Sequence, residues 1–104
     1  MKTKPAGNEP KIARLTDIPN IGPAMARDLN LLGIEQPDQL RGCDPYRLYE
    51  ELGRITGKRQ DPCVLDVFIA AVRYIEGAPA RPWWHYTAER KATLLQKKST
   101  DRPR

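Results

Sequence analysis

The sequence is poor in the side chains that enzymes and metal sites most often use. Its 104 residues include one histidine, His85, and two cysteines, Cys43 and Cys63. These three ligands have no paired Cys-x-x-Cys spacing, and two cysteines are too few for a disulfide framework. Cys63 is predicted in the first turn of a helix, where a reactive thiolate is possible, but a small buried side chain is our expectation. We predict no catalytic residues, no metal site and no cofactor, and expect that the protein is not an enzyme.

Long apolar runs are also absent. The longest extends over residues 67–72, whereas a membrane-spanning helix needs about 20 such residues. The basic first residues are not followed by the apolar segment of a secretory signal. No glycine-rich nucleotide loop or serine elbow occurs, so no small-molecule substrate is predicted. We therefore expect a cytoplasmic protein that does not enter the membrane.

The formal net charge is +5, and the basic residues are concentrated at the two ends. Residues 1–14 carry a net charge of +3 and residues 81–104 carry +5. Residues 15–80 contain seven basic and ten acidic side chains. Basic ends bind polyanions such as nucleic acids, but they also occur as tails that only keep a protein soluble. The charge distribution leaves both interpretations open.

Proline and glycine divide the sequence into predicted helices. Proline is favoured at the first position of a helix, and glycine commonly follows the last. A helix start of this kind, or one capped by threonine, occurs at five places: Pro23, Pro37, Pro45, Pro62 and Thr87. No segment shows the paired alternation of a strand hairpin. The sequence therefore predicts an all-α protein, a compact bundle of about five helices.

The helix that starts at Pro62 is the most apolar and is predicted to be central. Its polar residues Asp66, Arg73 and Glu76 fall on one helical stripe, which leaves the other faces for the core. Phe68 lies outside that stripe and is predicted to be buried. We interpret Asp66 and Glu76 as members of ordinary surface ion pairs with Arg73.

The length favours a single domain, because two separate cores would each be too small to be stable. We assign the domain to residues 11–96. Residues 1–10 are predicted to be a flexible basic segment, and residues 97–104 a disordered basic tail.

Residues 15–29 have the pattern of two short helices joined by a tight turn. Gly22 is predicted to use backbone angles denied to other residues, and Asn20 is the next residue type to tolerate positive φ. Such a turn leaves free N–H groups at the start of the second helix, where the helix dipole favours a phosphate. The residues predicted to meet a nucleic-acid backbone are Asn20, Ile21, Gly22, Ala24 and Arg27.

This stretch resembles the helix-hairpin-helix motif of DNA repair and competence proteins, which grips a phosphate backbone without reading sequence. Residues 15–53 are similar to the C-terminal domain of TfoX-type competence regulators. Over roughly residues 12–90, the chain resembles the pathogenicity-locus family of small bacterial proteins, some of them labelled mitomycin resistance proteins. The rest of that family's signature is matched by Asp61–Leu65, Phe68, Ala71–Val72 and Trp83–Trp84. The resemblance implies a SAM-like helical fold containing the motif.

Two departures from DNA-binding hairpins bear on function. Many such hairpins have glycine at the position of Asn20 and a lysine near the positions of Ala24 and Met25. Arg27 is the only base in the first turns of the second helix, and each lost phosphate contact weakens binding. Weak, sequence-independent DNA binding through the hairpin amides and basic ends is our leading hypothesis. The alternative is a protein-interaction adaptor in which the hairpin is purely structural.

The tryptophan pair is a second candidate surface. Trp83 and Trp84, with Arg90 and Lys91, are predicted to stack on exposed bases or contact a protein partner. Alternatively, the indoles fold back and cover the central helix, since buried aromatic rings contribute strongly to a small core. We expect the second arrangement for at least one tryptophan.

Overall fold

The computed structural model of the protein describes residues 13–101, and all regular structure in that range is helical. Its four α-helices are α1 (Pro23–Leu31), α2 (Pro45–Thr56), α3 (Pro62–Ile75) and α4 (Thr87–Asp101). Its three 3-10 turns are the Leu15 turn (Leu15–Asp17), the Pro37 turn (Pro37–Leu40) and the Trp83 turn (Trp83–Tyr86). The predicted all-α class is confirmed for this range. None of the described helices is long and apolar enough to cross a membrane.

Three of the α-helices begin at the proline that the sequence indicated. Asp44 caps α2 by accepting the N–H of Tyr46 at 2.9 Å, and Asp61 caps α3 by accepting the N–H of Cys63 at 2.9 Å. These carboxylates satisfy donors that have no partner within the helix. The N-cap residue of α1 is Gly22, and no side chain caps that helix.

The segment starting at Pro37 corrects the predicted number of helices. It forms a four-residue 3-10 turn that ends before Gly42, whose φ of 81° directs the chain out of the helical conformation. So short a segment has no room for a full α-helical turn with its own hydrogen bonds. The described chain therefore contains four α-helices, where the sequence suggested about five.

The first arm of the predicted hairpin also differs from expectation. It consists only of the Leu15 turn, which the carboxylate of Asp17 closes by accepting the N–H groups of Ala13 and Arg14. Ile18 then has an extended backbone with ψ of 133°. Proline at the next position disfavours the α conformation for this residue, so the turn cannot continue as an α-helix.

Helix α3 is central, as predicted. Eight consecutive residues, 65–72, are buried in it, and Phe68 is fully inaccessible. It packs against α2, α4, the Pro37 turn and the Trp83 turn. The Leu15 turn, the connection that follows it and α1 contribute further buried residues to the same core, namely Leu15, Ile18, Ile21 and Leu29.

The interpretation of Asp66 as a surface residue was wrong. Asp66 is fully buried, and its carboxylate accepts the hydroxyl of Thr87 at 2.7 Å and the Nε–H of Arg90 at 2.8 Å. Arg73 pairs with Glu89 on the same side of α3. Because α4 folds back over α3, Asp66 is removed from water, whereas Arg73 and Glu89 form a pair in which both side chains remain partly exposed.

Helix α4 continues through residues 97–101, part of the segment predicted as a tail. The remaining tail, residues 102–104, and the predicted flexible segment 1–10 lie outside the described residues.

Candidate nucleic-acid interface

The turn before α1 is held by two hydrogen bonds. Asn20 has a φ of 75°, as expected for an asparagine at such a turn. Its side-chain Nδ2 donates to the carbonyl of Arg81 at 2.8 Å. The N–H of Ile21 donates to the carbonyl of Ile18 at 3.1 Å. The turn is therefore closed locally and also attached to a segment 61 residues later in the chain.

Gly22 does not have the conformation predicted for it. Its φ of −95° and ψ of −174° describe an extended backbone that any residue adopts. A Cβ atom added to Gly22 would meet no other atom within 4 Å. The structure therefore gives Gly22 no conformational requirement, and what it shows there is open space in front of the first turn of α1.

The N-terminus of α1 presents unpaired backbone donors at this open surface. The first hydrogen bond of the helix runs from the N–H of Ala26 to the carbonyl of Gly22, at 2.9 Å. Within the described part of the chain, the N–H groups of Ala24 and Met25 have no hydrogen-bond acceptor. The first turn of α1 contains no acidic side chain. These donors and the positive end of the helix dipole together favour an anion.

The structure separates the predicted backbone-binding residues into two groups. Gly22, Ala24 and Arg27 are exposed around the start of α1. Ile21 lies in the core with 4% of its surface accessible, and its N–H is already bonded. The side-chain amide of Asn20 is likewise engaged, by Arg81. Ile21 and the side chain of Asn20 therefore shape the turn, while the other three residues face outward.

The two tryptophans differ in environment. Trp83 is half-buried and packs against the core, as expected for at least one of the pair. Trp84 is 63% exposed. The two indoles meet edge to face, with ring centroids 5.4 Å apart. Trp83 thus closes the core and supports Trp84, which remains on the surface.

Arg90 is not part of the exposed surface predicted around the tryptophans. Only 13% of its side chain is accessible, because the guanidinium is paired with the buried carboxylate of Asp66. That hydrogen bond raises the pKa of Arg90 above its usual range. Lys91, the next residue, is exposed as predicted. Arg90 therefore attaches α4 to α3, and Lys91 remains a surface cation.

Arg81 was not among the predicted site residues. It is exposed, and its carbonyl is bound by Asn20, so it lies where the turn before α1 meets the segment leading to Trp84. Two sequence signals point to it. The first is the proline at position 82, which stiffens the connector and favours a fixed position for the Arg81 side chain. The second is the tryptophan pair that follows directly after this proline.

The cysteines have the properties of unreactive thiols. A hydrogen bond with the side chain of Asp61, together with burial, raises the pKa of the Cys63 thiol. Burial, with the negative charge of Glu76, raises the pKa of Cys43. Thiolate nucleophiles require the opposite shift. Residues 13–101 contain no group of three histidine, cysteine or carboxylate side chains positioned to hold a metal ion.

Comparison with known proteins agrees with the resemblance noted in the sequence. Residues 8–92 match the family described as pathogenicity locus, Cdd1. The chain is also 50% identical over 80 residues to a mitomycin resistance protein, McrB, of Streptomyces lavendulae; the match covers 77% of this chain and 76% of that protein. No solved structure matches the chain. With half its aligned residues shared with such a relative and most of its length matched by the family, this chain belongs to the pathogenicity locus family.

Proposed function

We propose that this protein is a cytoplasmic, non-catalytic module that binds DNA weakly and without sequence preference, through a turn equivalent to that of helix-hairpin-helix proteins. The observation that carries the proposal is the exposed, uncapped N-terminus of α1. There the N–H groups of Ala24 and Met25 lack acceptors within the described chain, behind the open surface at Gly22. A DNA phosphate supplies the acceptor oxygens that such donors need.

The N-termini of α2 and α3 are each capped by a side chain, whereas that of α1 is not. Asp44 on α2 and Asp61 on α3 each provide a carboxylate for the first free N–H groups. At α1 the equivalent residue is Gly22, which has no side chain to do so. An anion from outside is therefore proposed to take the place that a carboxylate occupies in α2 and α3.

Two exposed arginines near the N-terminus of α1 are expected to attract a polyanion, but two cations are too few for high affinity. Arg27 is exposed one turn into α1, and Arg81 adjoins the turn through the contact with Asn20. Among the side chains described, those of residues 13–96, neither arginine forms an ion pair. Two cations and a few backbone donors contact few phosphates, so binding is expected to be weak and sensitive to salt. Contacts of this kind position a protein on DNA but read no sequence.

The non-catalytic part of the proposal is supported by the state of the candidate nucleophiles. The raised pKa of the Cys63 thiol opposes formation of a thiolate. His85, the single histidine, makes an edge-to-face contact with Tyr86 at a centroid distance of 4.8 Å. Nucleophilic catalysis needs a base next to the nucleophile, and no hydrogen bond joins His85 to either thiol in the described part of the chain.

Titration of the full chain with duplex DNA tests the proposal. Arg27→Glu places a negative charge beside the α1 amides and should weaken binding several-fold, lowering the slope of log K against log salt by about one. Arg59→Glu is the matched control, because Arg59 is an exposed arginine in the connection between α2 and α3. No affinity of the wild-type chain at low salt, or equal losses in the two variants, would contradict binding through α1.

The name of the Streptomyces relative adds a cellular readout. We propose that this chain also contributes to mitomycin resistance, and that resistance depends on the surface at α1. Cells expressing Arg27→Glu should then survive mitomycin less well than cells expressing Arg59→Glu at equal protein levels. Equal survival of the two strains would show that mitomycin resistance does not depend on the surface at α1.

A protein-interaction adaptor remains the second candidate, favoured by the exposed leucines of α4. Leu95 is 70% exposed and Leu94 is 39% exposed, and a shallow groove of about 400 Å³ lies beside Leu95. Large apolar side chains grouped on one helix commonly mark a contact surface. Under this function, Leu95→Glu should abolish a defined protein–protein contact that Arg27→Glu leaves intact.

A further inference from the structure

We infer that Trp84 and the cations around it form a stacking platform for unpaired bases, so that the ligand is single-stranded or locally unpaired DNA. This inference rests on the proposed DNA binding and narrows its substrate class. It is carried by three relationships: the supported exposure of Trp84, the internal neutralisation of the neighbouring acids, and the attachment of Arg81 to the turn before α1.

Trp84 is exposed and yet held in place. Of its surface, 63% is accessible, although tryptophan is usually well buried. Its indole contacts that of Trp83 edge to face, and Trp83 packs against the core. The contact fixes one side of Trp84 while leaving an aromatic surface open to solvent. A ring fixed in advance stacks on a base with little loss of side-chain entropy.

Two acidic side chains that lie at the first turn of α4 are neutralised from within the protein. Asp66 is fully buried and paired with Arg90. Glu89, the only acidic residue between residues 81 and 100, is paired with Arg73. Neither carboxylate is therefore left to repel a phosphate that approaches the indole.

The remaining charge on this surface is positive. Arg81 precedes Trp84 by three residues and is exposed. The Trp83 turn runs directly into α4, and Thr87 at the junction has helical angles of φ −62° and ψ −43°. Lys91 therefore follows Trp84 by about two helical turns and is also exposed. In the described part of the chain neither Arg81 nor Lys91 has an acidic partner. An exposed ring with a free cation on each side of it along the chain suits a base flanked by phosphates.

The hydrogen bond from Asn20 to the carbonyl of Arg81 joins this platform to the phosphate site proposed at α1. The Arg81 carbonyl is held at the turn before α1 and Trp84 follows three residues later, so a strand bound at the α1 amides is proposed to continue along Arg81 toward Trp84. Bases in an intact duplex are paired and stacked, and extruding one costs a few kcal/mol. An unpaired base reaches the indole without that cost, so single-stranded DNA is expected to bind more tightly than duplex.

The test compares the full chain and three variants on a short oligothymidylate, the same backbone with abasic sites, and a duplex. Trp84→Ala should lower affinity for the oligothymidylate about tenfold, the effect of losing one stacked base, and leave duplex affinity unchanged. Trp84→Phe keeps a ring and should retain most of the affinity. Leu95→Ala removes another exposed apolar side chain, on α4, and should change neither the oligothymidylate affinity nor the duplex affinity.

Tryptophan fluorescence gives a readout that does not depend on the alanine variant. Oligothymidylate should quench the wild-type chain, the abasic strand should not, and Trp84→Phe should lose the quenching while Trp83 still reports a folded core. The stacking platform would be contradicted if Trp84→Ala lost as much affinity for duplex as for single-stranded DNA, or if the abasic strand bound as tightly as the oligothymidylate. Neither result would contradict the proposed DNA binding at α1. A wild-type chain that binds no DNA at low salt would overturn both, and would leave Trp84 as a surface for a protein.

Discussion

Asp66 and Arg90 join the central helix to the last one through a buried carboxylate. The Nε–H of Arg90 donates to Asp66 Oδ1 at 2.8 Å, and Asp66 has no accessible surface. Arg90 donates a further hydrogen bond to Oδ2 through Nη2, and the hydroxyl of Thr87 donates a third to the same carboxylate. One side chain of α3 therefore fixes the first turn of α4, in the middle of an otherwise apolar run.

We expect Arg90→Ala to lower the free energy of unfolding by about 3 kcal/mol or more, because it leaves a buried charge without its counterion. Asp66→Ala should cost less, since Arg90 is 13% exposed and its head can turn toward water. The double variant Asp66→Leu, Arg90→Met should recover much of the loss. Urea denaturation gives the free energy of unfolding of the wild-type protein, the two single variants and the double variant. A loss of no more than about 0.5 kcal/mol in Arg90→Ala would mean that the pair does not hold α4 in place.

Phe68 is fully buried on α3, in the same core as Ile18 and Ile21 of the turn before α1. Phe68→Ala should therefore cost about 3–5 kcal/mol, a large share of the total for a domain of this size. Ile55→Ala serves as the control, because Ile55 on α2 is 42% exposed. Similar small losses in both variants would contradict the central position of α3.

Gly22→Asp should change stability and DNA binding in opposite directions. The extended backbone and open space at Gly22 accommodate a side chain, and an aspartate there can cap α1 as Asp61 caps α3. The free energy of unfolding should rise by a few tenths of a kcal/mol, the difference between glycine and aspartate at an N-cap. The melting temperature should therefore rise slightly. DNA affinity should fall, because the carboxylate takes the amides and repels phosphate.

Gly22→Ala is the control for that substitution, since its methyl group neither caps the helix nor carries charge. It should keep most of the DNA affinity. A Gly22→Asp protein that is more stable and still binds DNA normally would show that the α1 amides do not contact phosphate.

Acid should destabilise the protein partly through the cap of α3. The hydrogen bond from the Cys63 N–H lowers the pKa of Asp61 below its ordinary value. A carboxyl group with a lowered folded-state pKa stabilises the protein above its unfolded pKa, and this contribution is lost as the pH falls through the folded value. The loss should therefore appear below about pH 4. Asp61→Asn caps without titrating, so its melting temperature should depend less steeply on pH in that range.

The helix boundaries followed from local chemistry and were therefore predictable. Pro23, Pro45 and Pro62 each start an α-helix, because proline lacks the N–H that a first helical residue cannot use. At the end of α1, Gly33 has a positive φ of 85° and the N–H of Ile34 donates to the carbonyl of Leu29 at 2.9 Å, as in a common glycine C-terminal motif. Each of these features depends on residues only a few positions apart.

The errors in placing polar and aromatic side chains arose where distant residues decide the outcome. Asp66 was assigned to the surface because its partners, Thr87 and Arg90, lie 21 and 24 residues later. A carboxylate inside an apolar helix was itself the available signal, since buried charges are paired. Arg90 was assigned to a binding surface for the same reason. The separation of Trp83 from Trp84 also depends on how the chain returns across α3, which local patterns do not specify.

The hydrogen bond between Asn20 and Arg81 also has a consequence for folding. It closes a loop of 61 residues, and contacts so distant in sequence carry a large entropic cost and tend to form late. Helix α1 can form early from local signals, but the neighbouring Arg81 reaches it only after α2, α3 and the connector have packed. The surface shared by the turn and the connector therefore belongs to the complete fold. A substitution deep in α3 can weaken that surface without touching it.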